Sequence, residues 1–168
     1  MNFKNKSKIV VDEKGQAGAV FRLMVDGIVG LAILLIIISL LGYFNSLIYT
    51  QALTKTSDIV KKAYNSPTGV IVTEQNNEKL PFLKDSMFTS SSFAYNIGEE
   101  KECFTFFTNS SAIDLFSGQN GISFKQNLNV NVYAKCLPLD IASREGSYSN
   151  CDSKCKVCCL ISFGKKLE

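Results

Sequence analysis

One long segment without charged residues constrains this 168-residue chain more than any other feature. None of its 18 basic and 15 acidic residues falls in the 28 positions from Gly27 to Thr54. Residues 28–44 read IVGLAILLIIISLLGYF, and a helix of about 20 apolar residues crosses the roughly 30 Å of hydrocarbon in a bilayer. A buried core helix is the alternative, but this run has no polar side to offer solvent. The sequence therefore predicts a membrane span over about residues 20–44.

The charges around this segment predict its orientation. Four lysines and Arg22 precede it, and no charged residue follows until Lys55. Because the flank richer in lysine and arginine stays in the cytoplasm, we expect a single-pass protein with a cytoplasmic N-terminus and an extracellular C-terminal domain. A cleaved secretory signal is the alternative, but its apolar stretch is usually about 7 to 15 residues long and ends in small residues. Here the stretch is longer and bulky side chains follow it.

Composition argues against several functional classes. The chain has no histidine, which removes Ser-His-Asp and Cys-His nucleophile systems and histidine metal sites. Its net charge of +3 is small and is not grouped into a basic surface for nucleic acid. No paired carboxylates or phosphate-binding loop stand out. We therefore expect no enzymatic activity, no cofactor, no metal and no nucleic-acid partner.

A short motif lies directly before the apolar run. Residues 13–21 read EKGQAGAVF, so that a charged leader ends in Lys-Gly-Gln beside a long hydrophobic helix. This arrangement resembles the class III signal peptide of archaeal type IV pilin-like proteins. The resemblance implies cleavage by a membrane-embedded prepilin peptidase between Gly15 and Gln16, on the cytoplasmic side. Residues 1–15 would then be a leader, and the apolar run would stay on the mature protein.

The sequence departs from the family pattern at the fifth mature position. Many pilins carry a glutamate there, thought to neutralise the N-terminal amine of a neighbouring subunit, whereas this chain has Val20. The nearest acidic residue is Asp26, one helical turn from Arg22. Two interpretations stay open: an i,i+4 ion pair within the chain, which we favour, or a packing or register contact with another chain.

The helix is predicted to continue past the membrane to about residue 65. Between Tyr49 and Tyr64, apolar residues recur at i, i+3 and i+4, and polar residues occupy the other face. Pro67 disfavours helix at the residue before it, so the long helix is assigned to residues 16–66. Its amphipathic extension is expected to pack against the domain that follows.

Beyond Pro67 the apolar pattern changes to the period of two that is typical of strands. Leu128, Val130 and Val132 alternate with polar neighbours, which predicts a sheet with one face on the helix and one in solvent. The predicted strands are residues 70–72, 93–97, 103–108, 122–124, 128–133 and 157–163, with a turn at 117–121 and loops at 75–79 and 85–92.

The predicted fold class is therefore α+β and pilin-like. A long N-terminal transmembrane helix is followed by a small antiparallel β-rich extracellular domain over residues 67–168. That domain is expected to be stabilised by disulfides.

Six cysteines lie in the predicted extracellular domain: Cys103, Cys136, Cys151, Cys155, Cys158 and Cys159. Their even number and an oxidising exterior favour three disulfides among about 15 possible pairings. Cys103 with Cys136 would join two strands, and Cys151 and Cys155 flank a loop that could be joined to Cys158 or Cys159. Neighbours on a strand point to opposite faces, so Cys158 and Cys159 should have different partners. A thiolate zinc site in the last four cysteines and a redox-active Cys155-x-x-Cys158 pair are disfavoured alternatives.

Asn109 begins an N-glycosylation sequon, Asn-Ser-Ser, on the predicted exterior. A second sequon begins at Asn5 in the predicted cytoplasmic leader, where we expect no modification.

These features together predict a structural protein: a major or minor pilin, or a pseudopilin, of an archaeal surface filament. Its helix would pack against other pilin-like subunits, and small residues would permit close approach. Those residues are Ala17, Gly18, Ala19, Gly27 and Gly30. The alternative is a monomeric, membrane-anchored extracellular binding domain exported by the pilin route.

Overall fold

The computed structural model describes residues 13–148 and 151–167. The chain divides into two units, residues 1–43 and 44–168. Helix α1 (Glu13–Asn65) begins in the first unit and ends in the second. The fold class is α+β, since a long apolar N-terminal helix is followed by a small, largely antiparallel β domain, as predicted.

Helix α1 ends at Asn65, as the position of Pro67 predicts. Every side chain described between Val20 and Phe44 is exposed, and none of the most apolar 18-residue window of the helix is buried. The Ser39 hydroxyl donates to the Leu35 carbonyl at 2.8 Å, which satisfies a polar group inside the apolar run. Among the described residues, α1 is the one helix long and apolar enough to cross a membrane.

Nine strands and two shorter α-helices follow in the part of the chain that the structure describes. The helices are α2 (Ser90–Ile97) and α3 (Leu139–Ala142). The strands are β1 (Val72–Thr73), β2 (Leu80–Phe82), β3 (Met87–Thr89), β4 (Phe104–Thr108), β5 (Ile113–Leu115), β6 (Gly121–Phe124), β7 (Leu128–Val130), β8 (Val132–Pro138) and β9 (Val157–Phe163).

The largest sheet has the strand order β1-β8-β9-β4. Strand β9 lies at its centre, antiparallel to β8 and parallel to β4. Two smaller groups, β2-β7 and β3-β6-β5, complete the β structure. The register places Cys136 directly opposite Cys159 and Val132 opposite Phe163.

A cluster of aromatic rings fills the core on one face of the largest sheet. The Phe163 ring centroid lies 5.5 Å from that of Phe82, 5.8 Å from that of Phe124 and 6.2 Å from that of Phe106. The apolar stripe of α1 belongs to the same core, with Ala52, Ile59, Val60 and Ala63 buried. The C-terminal part of α1 therefore packs against the β domain through an apolar stripe.

The second face of this sheet is covered, which corrects the prediction of a solvent-facing side for β8. Strand β7 keeps the predicted alternation, with Asn129 exposed between the half-buried Leu128 and Val130. Tyr133 and Leu160 on the second face of the largest sheet are buried. Residues 139–148 and the C-terminal Leu167 lie over it, and the Tyr148 hydroxyl donates to the Lys135 carbonyl at 3.2 Å. Strand β9 lies in the interior of this sheet, and both of its faces are buried. The sequence did not indicate this, because β7 and β8 carry polar residues.

Other strand predictions were wrong in detail. Residues 93–97 belong to α2, because Phe93, Ala94 and Ile97 have a spacing that suits a helical face. Gly98 ends α2 in the left-handed conformation, and its N–H donates to the Ala94 carbonyl at 2.8 Å. The predicted loop at 85–92 contains β3, and 128–133 divides into β7 and β8.

Replacing Phe163 with leucine is expected to lower the free energy of unfolding by about 2 to 4 kcal/mol, because three ring pairs are lost and each is worth about 0.5 to 1.5 kcal/mol beyond its buried area. Chemical denaturation of the detergent-solubilised protein measures this. Phe107→Leu is the matched control, since Phe107 is only partly buried, on the other face of the sheet. An equal loss in the two variants would contradict the assignment of Phe163 to the centre of the core.

Candidate functional site

The predicted processing residues lie at the start of helix α1. Gly15 and Gln16 are in its first turn, and residues 1–12 of the predicted leader lie outside the described residues. A protease cleft binds extended backbone, so cleavage here requires this turn to unwind. Glycine disfavours a helix by about 1 kcal/mol relative to alanine, which makes the turn at Gly15 easier to open.

Arg22 and Asp26 are both exposed on α1, one turn apart. The salt bridges of the described residues do not include a pair between them. The intrachain ion pair favoured from the sequence is thus not formed in this structure. The order of the two residues gives the reason, since a basic residue four positions before an acidic one is the weaker arrangement on a helix.

The glycines of the apolar segment have no packing role within the chain. A Cβ atom added at Gly18, Gly27 or Gly30 would meet no other atom within 4 Å. None of these glycines has a positive φ angle, so the backbone does not require glycine there either. Because each costs helix stability relative to alanine, their presence is unexplained by the single chain. The side chains of Ala17 and Ala19 are outside the described set.

All six cysteines form disulfides, as predicted. The bonds join Cys103 to Cys155, Cys136 to Cys159 and Cys151 to Cys158, with Cα–Cα distances of 5.5, 4.1 and 6.0 Å. Cys158 and Cys159 have different partners, which confirms the argument from strand geometry.

The suggested pairing of Cys103 with Cys136 was wrong. The β8–β9 register puts Cys136 opposite Cys159, and Cys103, directly before β4, binds Cys155 instead. Cys155 and Cys158 belong to different bonds, so neither the zinc site nor the redox pair has free thiols. Among the described residues, no cluster of three or more histidine, cysteine or acidic side chains is arranged to hold a metal.

The predicted glycosylation residue is accessible. Asn109 is exposed in the loop between β4 and β5. Flanking hydroxyls fix this loop: Thr108 Oγ1 accepts from the Ser110 N–H at 3.1 Å, and Ser110 Oγ accepts from the Ala112 N–H at 3.3 Å. A short loop with an outward Asn side chain is compatible with an attached glycan.

A small cavity of about 170 Å³ lies beside the covered face of the largest sheet. Lys135 and Glu145 line it and form a salt bridge of 3.4 Å. Burial, together with the charge of Glu145, raises the pKa of the Tyr148 phenol above its ordinary value. Lys135 and Glu145 are 10 residues apart, and these groups carry no recognisable motif, so sequence analysis missed them. These contacts connect residues 145–148 to β8 through a neutral tyrosine and a lysine that is paired with a carboxylate.

A second tyrosine joins the end of α1 to the turn after α2. The Tyr64 hydroxyl donates to the Glu99 carboxylate, and this contact was also not predicted from the sequence. Burial, the hydrogen bond and the negative charge of Glu99 raise the pKa of Tyr64 to about 12. The last turn of α1 is thus tied to the domain through a group that must stay protonated.

Stability is expected to fall as pH rises above about 10, the ordinary pKa of tyrosine in an unfolded chain. Because the folded-state pKa of Tyr64 is higher, at about 12, its contribution is complete below pH 10 and is lost between these values. Unfolding free energies measured from pH 8 to 12 test this. Tyr64→Phe should fall less steeply than the wild type, and parallel curves would contradict it.

Comparisons of this chain with protein-family models, curated proteins and solved structures give no match. The class that its own features define is a disulfide-braced α+β protein with a single helix able to span a membrane. Its function has to be inferred from those features.

Proposed function

We propose that this protein is a pilin-like structural subunit of an archaeal surface filament, major or minor, processed between Gly15 and Gln16 by a prepilin peptidase. The observation that best supports the proposal is the difference between the two parts of α1. Its N-terminal part is apolar and uncovered around the whole helix, and its C-terminal part supplies a buried stripe to the β domain. A helix of this kind serves both as a membrane anchor and as an assembly element.

The uncovered surface of α1 requires a partner other than water. Leu23, Leu31 and Leu41 are each at least 60% exposed, and many similar side chains accompany them. Burying one such side chain fully is worth about 1.5 to 3 kcal/mol. Lipid covers this surface before assembly, and helices of other subunits cover it in a filament. The glycines without an internal packing role would let those helices approach closely.

The disulfides support placing the C-terminal domain outside the cell. Three disulfides form and persist in an oxidising compartment, and they are rare in the cytosol. The excess of basic residues before the apolar run supports a cytoplasmic N-terminus, which places the domain on the opposite side. The disulfides and the flanking charges thus favour the same topology.

Microscopy of surface material sheared from cells of an archaeal host tests the assembly. Filaments that contain the wild-type chain are expected, and Gly15→Leu should abolish them because a bulky residue hinders entry into the peptidase. Gly42→Ala is the control for substitution of a glycine in α1, and it should leave processing intact. A wild-type chain that is cleaved yet stays dispersed in the membrane would contradict the filament and favour a monomeric anchored binding domain.

A further inference from the structure

The charges of Arg22 and Asp26 have no partner within the described structure of this chain. Both side chains are exposed on α1, and no salt bridge joins them. The next charged residue toward the C-terminus is Lys55. On a helix, residues four apart share a face, so Arg22, Asp26 and Gly30 follow one row along α1.

Assembly changes the surroundings of these two charges. Asp26 is ten residues from the middle of the 28–44 run, or about 15 Å along a helix, which is the edge of the hydrocarbon. There the headgroups and water solvate the charge of a single subunit. Packing the helix among others removes that water, and an ionised carboxylate withdrawn from water needs an opposite charge.

The surroundings of Asp26 favour close approach of a second helix. Gly27 is adjacent to it and Gly30 lies one turn further along the row. At both glycines an added Cβ would meet nothing within 4 Å. Two backbones can therefore come near each other beside this carboxylate. The unpaired opposite charges and Gly30 therefore share one strip of α1, and Gly27 lies about 100° around the helix from Asp26.

We propose that the partner is a second copy of this chain, in which Arg22 binds Asp26 of its neighbour. Four residues span about 6 Å of helix, so parallel helices offset by about 6 Å bring Arg22 of one copy level with Asp26 of the next. In such a head-to-tail assembly, Arg22 of each copy binds one neighbour and Asp26 of the same copy binds the other neighbour. The ion pair fixes the axial offset between adjacent helices. This inference rests on the proposed filament function.

Disulfide crosslinking of two co-expressed full-length chains tests the offset. One chain carries Arg22→Cys and the other Asp26→Cys, and all six native cysteines are already bonded, so the new thiols react alone. Met24→Cys with Ile28→Cys is the matched control, with the same spacing on the opposite side of the helix. A disulfide needs Cα atoms within about 7 Å, and we expect about tenfold more crosslinked dimer for the 22/26 pair than for the control.

Exchanging the charges of residues 22 and 26 tests the ion pair independently of crosslinking. Arg22→Asp and Asp26→Arg should each reduce the yield of sheared filaments, and the chain carrying both changes should recover it, since the pair is restored in reverse. Filaments without preferential 22/26 crosslinking would overturn the ion pair while leaving the filament function intact. A chain that forms neither filaments nor crosslinks would overturn both.

Discussion

A chain carrying Leu34→Arg and Ile38→Arg is expected to lose its stable retention in the membrane. Both positions are exposed, at 54% and 56%, near the middle of the apolar run. An arginine at the centre of a spanning helix costs about 3 kcal/mol, so two cost about 6 kcal/mol. Flotation of membranes on a density gradient, followed by alkaline carbonate washing, measures the retained fraction.

The control for this variant is Leu34→Ile with Ile38→Leu, which preserves volume and hydrophobicity at both positions. It should float and resist carbonate like the wild type. Release of the wild-type chain by carbonate alone would show that residues 20–44 do not span the bilayer, whatever the double-arginine variant does.

Replacing Cys103 and Cys155 by alanine is expected to lower the free energy of unfolding by about 4 kcal/mol, because this bond closes a loop of 52 residues. Loop entropy predicts smaller losses for the other bonds. The Cys136–Cys159 pair spans 23 residues and should cost about 3 kcal/mol. The Cys151–Cys158 pair spans 7 residues and should cost about 2 kcal/mol.

Guanidinium unfolding of the detergent-solubilised protein, followed by near-ultraviolet circular dichroism, gives these values. The three double variants are controls for one another, since each removes two sulfur atoms and one crosslink. Non-reducing peptide mapping must recover the two remaining bonds unchanged in every variant. Three equal losses would contradict the loop-entropy ranking, and a different set of bonded peptides would contradict the pairing itself.

The sequence was most informative where one strong local signal decided the structure. Helix α1 ends at Asn65 because Pro67 follows, and β9 occupies residues 157–163 as its continuous apolar run predicts. The three-residue strands carry much weaker signals. Strand β2 contains Pro81, which normally argues against a strand, and β3 contributes a single buried side chain, Phe88. Tertiary packing, not local pattern, decides these strands.

The sequence identified residues of the candidate sites, but it did not show which of them are in contact. Bonding of all six cysteines followed from sequence, whereas the pairing of Cys136 with Cys159 depends on the β8–β9 register. The Tyr64–Glu99 hydrogen bond depends on where α2 ends, and residues 93–97 of α2 were predicted as a strand. Contacts between distant segments require the fold before they can be assigned.

The central claim is that the apolar segment is retained on the mature protein, after a leader has been removed, and holds a disulfide-bonded domain at the membrane. Tandem mass spectrometry of the N-terminal peptide of the protein extracted from native membranes tests it most directly. The account predicts a single N-terminus at Gln16, with the sequence Gln-Ala-Gly-Ala-Val. An N-terminus at Met1, or a soluble molecule that begins beyond Phe44, would contradict it.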